Sequence, residues 1–469
     1  MAAWLKNLMI AVLAFGASWI GAVWYWQANN RVPAGADLVL YLLVLPLALL
    51  AVFWLGRKIY RAVSAPAATG AATGDAAAQD ATPAEPACGP SLSLVAAAVR
   101  APHGMSPAEL SAALTDDNPR PALDPELIDA YGYPIMSARI ADLDAEALRA
   151  EMSDWLTTNA LAPHFSDEQW RALSAGSEVV NELSGHLAGH TLLEAHAGHI
   201  AQRQPSPLPM LQLHPVWPPE WKPEQRQATV QWFRHLAIQA GWPDDRITTA
   251  PERGAADTEA GTVLARLLSN EPPALALVVA CGSHIGADSV EHMDNASALF
   301  STNHPQGRIP GEGAAGLLLA DAAQAKLLAF GAELPQLLAM SSGQLPHSAD
   351  ASKRSSADLL QELSTKALHG AGREASSIAL IAADTDHRTS RVMELMGVVS
   401  ASTPQLDPGV DVLSVGASCG SCGGVTWLTA LALARQEAES RNAAILCISN
   451  LDPFRRDVAV IGPAVAVPV

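Results

Sequence analysis

Three groups of residues in this chain have types and spacings that can do chemistry. Cys419 and Cys422 stand in the run Cys-Gly-Ser-Cys, followed by Gly423 and Gly424. A CxxC whose first cysteine opens a helix can be a redox pair, because the helix N-terminus lowers the thiol pKa. The apolar stretch after Gly424 predicts such a helix. A four-cysteine zinc site would need a second CxxC, which the sequence does not contain. The competing reading of Cys419/Cys422 is that small residues let a turn and a helix pack closely on a sheet. Cys281 and His284 end an apolar run. They could act as nucleophile and base only if the chain turns favourably between them, and a buried cysteine is the plainer reading. His186, His190 and Glu194, with His196 and His199 nearby, share one face if they lie on a helix, and could seat a metal ion there. They lack the H-E-x-x-H order, and solvated helix histidines are the alternative.

These groups sit in a chain of 469 residues with 29 Lys+Arg, 47 Asp+Glu and a net charge of −18. Charged residues make up 16% and apolar ones 49%, which excludes a disordered chain. The acidic balance argues against a nucleic-acid partner. Five cysteines make no disulfide framework. The charge is unevenly spread. Residues 1–61 carry five basic residues and one acid, net +4, and the remainder is net −22.

The positive end reads as a membrane anchor, residues 1–63. Spans 8–26 and 38–55 are free of charge, and each is about long enough to cross a hydrocarbon core of roughly 30 Å. Trp24, Tyr25, Trp26, Phe53 and Trp54 lie at or near their ends, where aromatic rings settle at headgroup level. The first span ends without a small-residue cleavage site, unlike a signal peptide. Lys6, Arg57, Lys58 and Arg61 flank the pair, so both ends are expected to face the cytoplasm of a bacterial-type inner membrane. Residues 64–87 are Ala, Thr, Pro and Gly with no large apolar side chain. They predict a flexible tether with an r.m.s. span of about 25–30 Å.

Residues 88–469 alternate apolar runs with helical patterns, the signature of an α/β body. Strands are expected at 91–99, 274–281, 315–320, 377–382, 410–415, 444–449 and 458–461. Helices are expected at 107–114, 144–159, 167–197, 223–240, 258–268, 355–368 and 425–437. Residues 202–223, rich in Pro and Trp, read as a surface excursion or docking loop, and as packed structure in preference to a binding site.

The second part of this body resembles a known family. ALALVVACGSH (274–284), LFSTN (299–303) and GEGAAGLLLAD (311–321) come first. IALIAADTDHRTSRVMEL (378–395), the CxxC segment 411–434 and AILCISNLDPFRRDVAVIG (444–462) follow in order. Together these resemble the β-ketoacyl synthase branch of the thiolase-like superfamily over about 190 residues. The resemblance implies a duplicated, layered α-β-α-β-α domain with halves at about 88–330 and 370–469. It also implies a family dimer, and it assigns structural positions to Gly311, Glu312, Gly313, Glu394 and Gly424.

What the resemblance implies for chemistry is not met by the residues. Family condensation uses a cysteine at a helix N-terminus and two histidines. The cysteine position falls near Ala256, the first histidine on Ala383, the second near Ser418, and a preceding lysine near Leu413. A slip of four would bring His387 into the first histidine's loop. The expectation is therefore a membrane-anchored pseudoenzyme acting through protein contacts, without cofactor, in a cell-envelope or secretion assembly. The alternative is an acyltransferase or acyl-thioester-binding protein with a relocated nucleophile, Cys281 or Cys422.

Overall fold

The computed structural model describes residues 90–249, 259–269, 274–331, 333–351 and 356–464. The expected spans at 8–26 and 38–55, the tether at 64–87, Cys88 and Ala256 lie outside the described residues. Among the described residues no helix is long and apolar enough to cross a membrane.

The first half of the body begins with β1 (Leu92–Arg100), α1 (Pro107–Asp116) and a hairpin of β2 (Ala122–Ile128) and β3 (Pro134–Ser137). The helices α2 (Ala145–Thr158), α3 (Asp167–Gly185) and α4 (Thr191–Ala201) follow. Then come β4 (Leu211–Val216), α5 (Pro223–Gln239), β5 (Ile247–Thr249) and α6 (Ala260–Leu268). β6 (Leu275–Ser283), α7 (Ala287–Asn295), β7 (Glu312–Ala320) and α8 (Ala322–Leu327) close the half. The second half has β8 (Gln336–Gln344), α9 (Asp358–Gly370), β9 (Ile378–Ala383), α10 (Thr389–Ser402) and β10 (Val412–Ser414). It ends with α11 (Val415–Cys419), α12 (Val425–Arg441), β11 (Ala444–Ser449) and β12 (Arg455–Gly462).

The main sheet runs β10-β9-β11-β12-β8-β1-β7-β6-β4-β5. Its halves, β5-β4-β6-β7-β1 and β10-β9-β11-β12-β8, have the same order. In each, the two outer pairings are parallel and the two inner ones antiparallel. The five-strand unit is therefore duplicated, and it joins its copy where Leu92 and Ser93 of β1 meet Leu337 and Gln336 of β8.

The strand residues show why the sheet is covered on both faces. All nine residues of β6 are buried. Leu275, Leu277, Val279 and Cys281 pack outward with Trp232 and Phe233 of α5, while Ala276, Val278 and Ala280 pack inward. This period-two alternation of two apolar faces is what a sandwiched strand requires. The inner layer is built on α12, in which every residue from Val425 to Ala434 is buried. A helix apolar on all sides must lie inside. Its side chains join one core with β1, β6 and β7 of the first half and β9, β11 and β12 of the second. Val263, Leu264 and Leu267 of α6 enter the same layer. Leu360 and Leu363 of α9 with Leu395 and Val398 of α10 cover the outer face of the second half.

Two expectations are corrected. The helix expected over 167–197 is two helices, because α3 ends at Gly185 and α4 begins at Thr191. Between them Gly189 takes a positive φ of 69° that no helix continues through. Residues 202–223 are no surface excursion. They contain β4, and Trp217 and Trp221 are buried in the outer core, stacked at a centroid distance of 5.8 Å.

Candidate functional site

In α/β sheets, ligands lie beyond the carboxyl ends of the parallel strands. In the second half those ends are Ala383 of β9, Ser414 of β10 and Ser449 of β11. The residues that follow form a dense buried polar cluster. Asp384 Oδ1 accepts from the backbone N–H of Asn450 at 2.8 Å and of Leu451 at 3.2 Å. Its Oδ2 accepts from Ser449 Oγ at 2.5 Å. Thr385 Oγ1 donates to Asn450 Oδ1 at 2.7 Å, and Asn450 Nδ2 donates to the Arg391 carbonyl at 3.0 Å. The carboxyl of Asp384 is buried, and burial pushes its pKa up to about 6 against the pull of Ser449 and the two backbone donors.

Three arginines lie alongside. Arg388 Nε donates to Asp386 Oδ2 at 2.7 Å, its Nη2 to the Leu451 carbonyl at 3.1 Å and its Nη1 to Asp350 Oδ1 at 2.8 Å. Arg391 Nη2 donates to the same Asp350 oxygen at 2.6 Å. Arg456 on β12 donates Nε to Glu394 Oε1 at 2.8 Å, with both side chains buried. The resemblance implies a lysine near Leu413, where the chain has none. The charge opposite Glu394 comes from β12.

Beside the cluster lies a cavity of about 270 Å³ whose lining includes Leu114, Arg120, His387, Met396, Val410 and Ala417. His387 meets Phe300 edge-on at 5.0 Å, and its Nε2 is buried without a partner among the described residues. Burial lowers its pKa, with Asp386 pulling the other way.

At the carboxyl end of β6, His284 Nδ1 donates to the Ser421 carbonyl at 2.9 Å and Nε2 faces Glu220 at 3.3 Å. Burial alone would lower the His284 pKa. Glu220 and the Ser421 carbonyl outweigh it, and the net direction is upward. Both ring nitrogens face acceptors, which suits the imidazolium. Cys281 points the other way. Its sulfur packs near Gly176 of α3, and burial pushes the thiol up to about 12. The structure does not bring Cys281 and His284 together as nucleophile and base.

The CxxC is likewise interior. Cys419 ends α11 and Cys422 precedes α12; both are buried as free thiols. Burial pushes Cys419 up to about 12 and raises Cys422 as well, opposite to the shift a redox cysteine needs. The segment is a close-packing device. Gly311 N–H donates to the Ser421 carbonyl at 3.2 Å, and Ser421 N–H donates to the Ile309 carbonyl at 2.9 Å. A Cβ on Gly311 would fall 2.2 Å from the Cys419 carbonyl oxygen, and Gly420 holds a φ of +68° against Pro310. Gly424 starts α12 against Val216.

The third sequence group separates. His186 caps the end of α3, His190 precedes α4, and Glu194 lies within α4, so the shared helix face does not exist. Among the described residues no group of three or more His, Cys, Asp or Glu is placed to hold a metal ion.

Sequence reasoning missed the partners of the buried charges. Glu312 accepts from Arg171 of α3 at 2.6 and 2.8 Å and from the Ile140 N–H at 2.8 Å. It thereby ties β7, adjoining Gly313, to the segment after the hairpin. An isolated arginine within an amphipathic helix gave no signal for this. Arg388, Arg391 and Arg456 lie within the motif segments, but no spacing in the sequence marks them as a group.

Solved ketosynthases share this architecture. The ketosynthase from module 6 of the bacillaene synthase of Bacillus subtilis 168 superposes with a TM-score of 0.53 at 13% identity, over 80% of this chain and 72% of that one. The ishigamide ketosynthase/chain length factor gives 0.50 at 13%, over 80% of this chain and 100% of that one. A β-ketoacyl synthase from Burkholderia phymatum STM815 gives 0.50 at 13%, with the same coverages. No family model matches the chain, and no curated protein does. The described body has the mixed α/β fold of these ketosynthases. At this identity the likeness establishes fold and leaves activity to be argued from the site.

Proposed function

We propose that this protein is a membrane-tethered, ketosynthase-like pseudoenzyme that works as a scaffold through protein contacts and performs no condensation. The carrying observation is what stands where the resemblance implies catalytic histidines. Ala383 ends β9 with a buried methyl group, and Ser418 in α11 is buried. Ser418 offers its backbone carbonyl to His103 Nε2 at 3.1 Å. Neither side chain can polarise a thioester carbonyl as an imidazole does. The four described cysteines are buried with raised thiol pKa values, which weighs against a relocated nucleophile.

In this reading spans 8–26 and 38–55 hold the protein in a bacterial-type inner membrane, and the acidic body stands in the cytoplasm on its tether. The body pairs with a second copy through the open edge of β5, the end strand of the first half. The decisive experiment is mass spectrometry of the purified chain after incubation with malonyl- and acyl-thioesters. The expected result is no covalent adduct. An acyl adduct on Cys281 or Cys422, lost in the matching Cys→Ala variant, would establish the active alternative. A reporter fused after Val469 is expected to be active on the cytoplasmic side, and periplasmic activity refutes the topology.

A further inference from the structure

We propose that Arg388 and Arg391, at the start of α10, form an oxyanion-binding site, suited to the phosphoryl group of a small ligand, which Asp350 of the protein's own β8–α9 connection fills in cis. The proposal goes beyond the scaffold reading and does not depend on whether the protein condenses anything.

The site is built from below. α10 is a 14-residue helix starting beyond the carboxyl end of β9, so its dipole favours negative charge there, although the Thr389 N–H is already taken by Gln306 Oε1 at 3.0 Å and the Arg391 N–H by the Arg388 carbonyl at 2.9 Å. Two guanidiniums are added to this end. Arg388, the N-cap residue, has a side chain 4% exposed, and Arg391 is fully buried. Arg388 is held rigidly by Asp386 and the Leu451 carbonyl, which leaves one nitrogen, Nη1, for the shared acceptor. Arg391 is not held in that way. Its Nη2 reaches Asp350, while Nε and Nη1 are buried with no acceptor among the described residues. Buried guanidinium donors without acceptors are costly and uncommon. They mark a place where an acceptor richer than one carboxylate oxygen would be more strongly bound.

Asp350 has the properties of a stand-in. A single oxygen, Oδ1, receives both arginines, and the side chain is 38% exposed. It belongs to a connecting segment that lies on the β11–β12 turn through the Ala349 N–H to Pro453 carbonyl bond and the Leu345 N–H to Phe454 carbonyl bond. An oxyanion with three oxygens offers what this carboxylate does not: one oxygen for Arg388, one for Nη2 of Arg391 and a further one for Nε or Nη1 beside it, in the planar fork geometry guanidinium prefers. A ligand must displace Asp350, whose tethering gives it an effective concentration on the millimolar scale. Binding would release the 345–351 segment from its hold on α10, so the site couples ligand to the mobility of that connection.

The test uses the full chain in mild detergent, with inorganic phosphate as probe and chloride at equal ionic strength as control. Asp350→Asn removes the negative charge that the two guanidiniums share, and its thermal midpoint is expected to fall by roughly 2–6 °C in chloride. Phosphate is expected to recover at least about 2 °C of that loss in D350N, and none in D350N/R391Q. Equal midpoints of D350N in phosphate and chloride overturn the proposal. So does a phosphate effect that survives R391Q. If the double variant does not fold, phosphorus NMR of free phosphate decides between D350N and wild type. Line broadening that is stronger with D350N supports the site, and equal broadening overturns it.

Discussion

Replacing Asp384 by Asn makes the energetics of the buried cluster measurable. The carboxyl's pKa lies at about 6 in the folded protein against 3.8 for the free group, a rise caused by burial. The folded state therefore holds the proton more tightly than the unfolded chain. The group's contribution to stability is fully present below pH 3.8 and is lost as the pH climbs through 6. The difference of roughly two pKa units corresponds to about 3 kcal/mol, or very roughly 3–6 °C for a body of this size. An asparagine carries no such penalty. Its carbonyl oxygen can keep both backbone donors, Asn450 and Leu451, and its amide can donate to Ser449 Oγ, which now accepts. The assay is the thermal midpoint of wild type and D384N from pH 4 to pH 8. The variant's advantage over wild type should grow with pH and level off above pH 6 to 7. Any fixed cost of the amide cancels in the comparison across pH. A difference that stays flat from pH 4 to pH 8 refutes the assignment of a buried, proton-binding carboxyl.

Three further outcomes follow from geometry already given. Arg171→Met strips Glu312, which is 1% exposed, of its cation and should cost about 3–5 kcal/mol in denaturant unfolding; a loss below about 1 kcal/mol contradicts the ion pair. Gly311→Ala places a methyl group on the Cys419 carbonyl and should lower the thermal midpoint clearly, whereas Gly331→Ala, with open space around it, should not. Cys281 and Cys419, with thiols near pKa 12, should react with a thiol reagent at pH 8 roughly a thousandfold more slowly than free cysteine until the protein unfolds. Rapid labelling of either in the folded protein argues against their burial.

The strands that lie under helices on both sides were the most legible part of this sequence. β6, β7 and β11 carry the unbroken apolar runs 274–281, 315–320 and 444–448, and such runs announce themselves without neighbours. β4 was hidden because Pro215 and the tryptophans after it read as a loop, although the strand is short, parallel and enclosed. β8 was hidden by its Ser-Ser-Gly-Gln tail, in which Ser342 and Gln344 are exposed. The landmarks of the resemblance located the duplicated body, yet the buried ion pairs were invisible. Arg171 and Glu312 are 141 residues apart, and only the folded register brings them together. The histidine group at 186–194 failed for a local reason, the glycine turn that interrupts its helix. The small-residue reading of the CxxC matches the packing of Gly311 and Gly420, because close approach depends on missing side-chain atoms that a sequence displays directly.

The placement of α12 sets a timetable for synthesis. The inward face of the first half, including Ala276, Val278, Leu317 and Leu319, is covered largely by a helix that begins roughly a hundred residues after β7 ends. At about 5–20 residues per second the ribosome needs on the order of 5–20 s to deliver it. During that interval a completed five-stranded unit, with only α1 and α6 in that layer, would leave much of this apolar face uncovered beside its own nascent chain. Neither half can be matured and then simply attached to the other. The nascent protein should therefore engage a holding chaperone between the emergence of β7 and that of α12, and a stop codon placed before Val425 should yield an insoluble fragment.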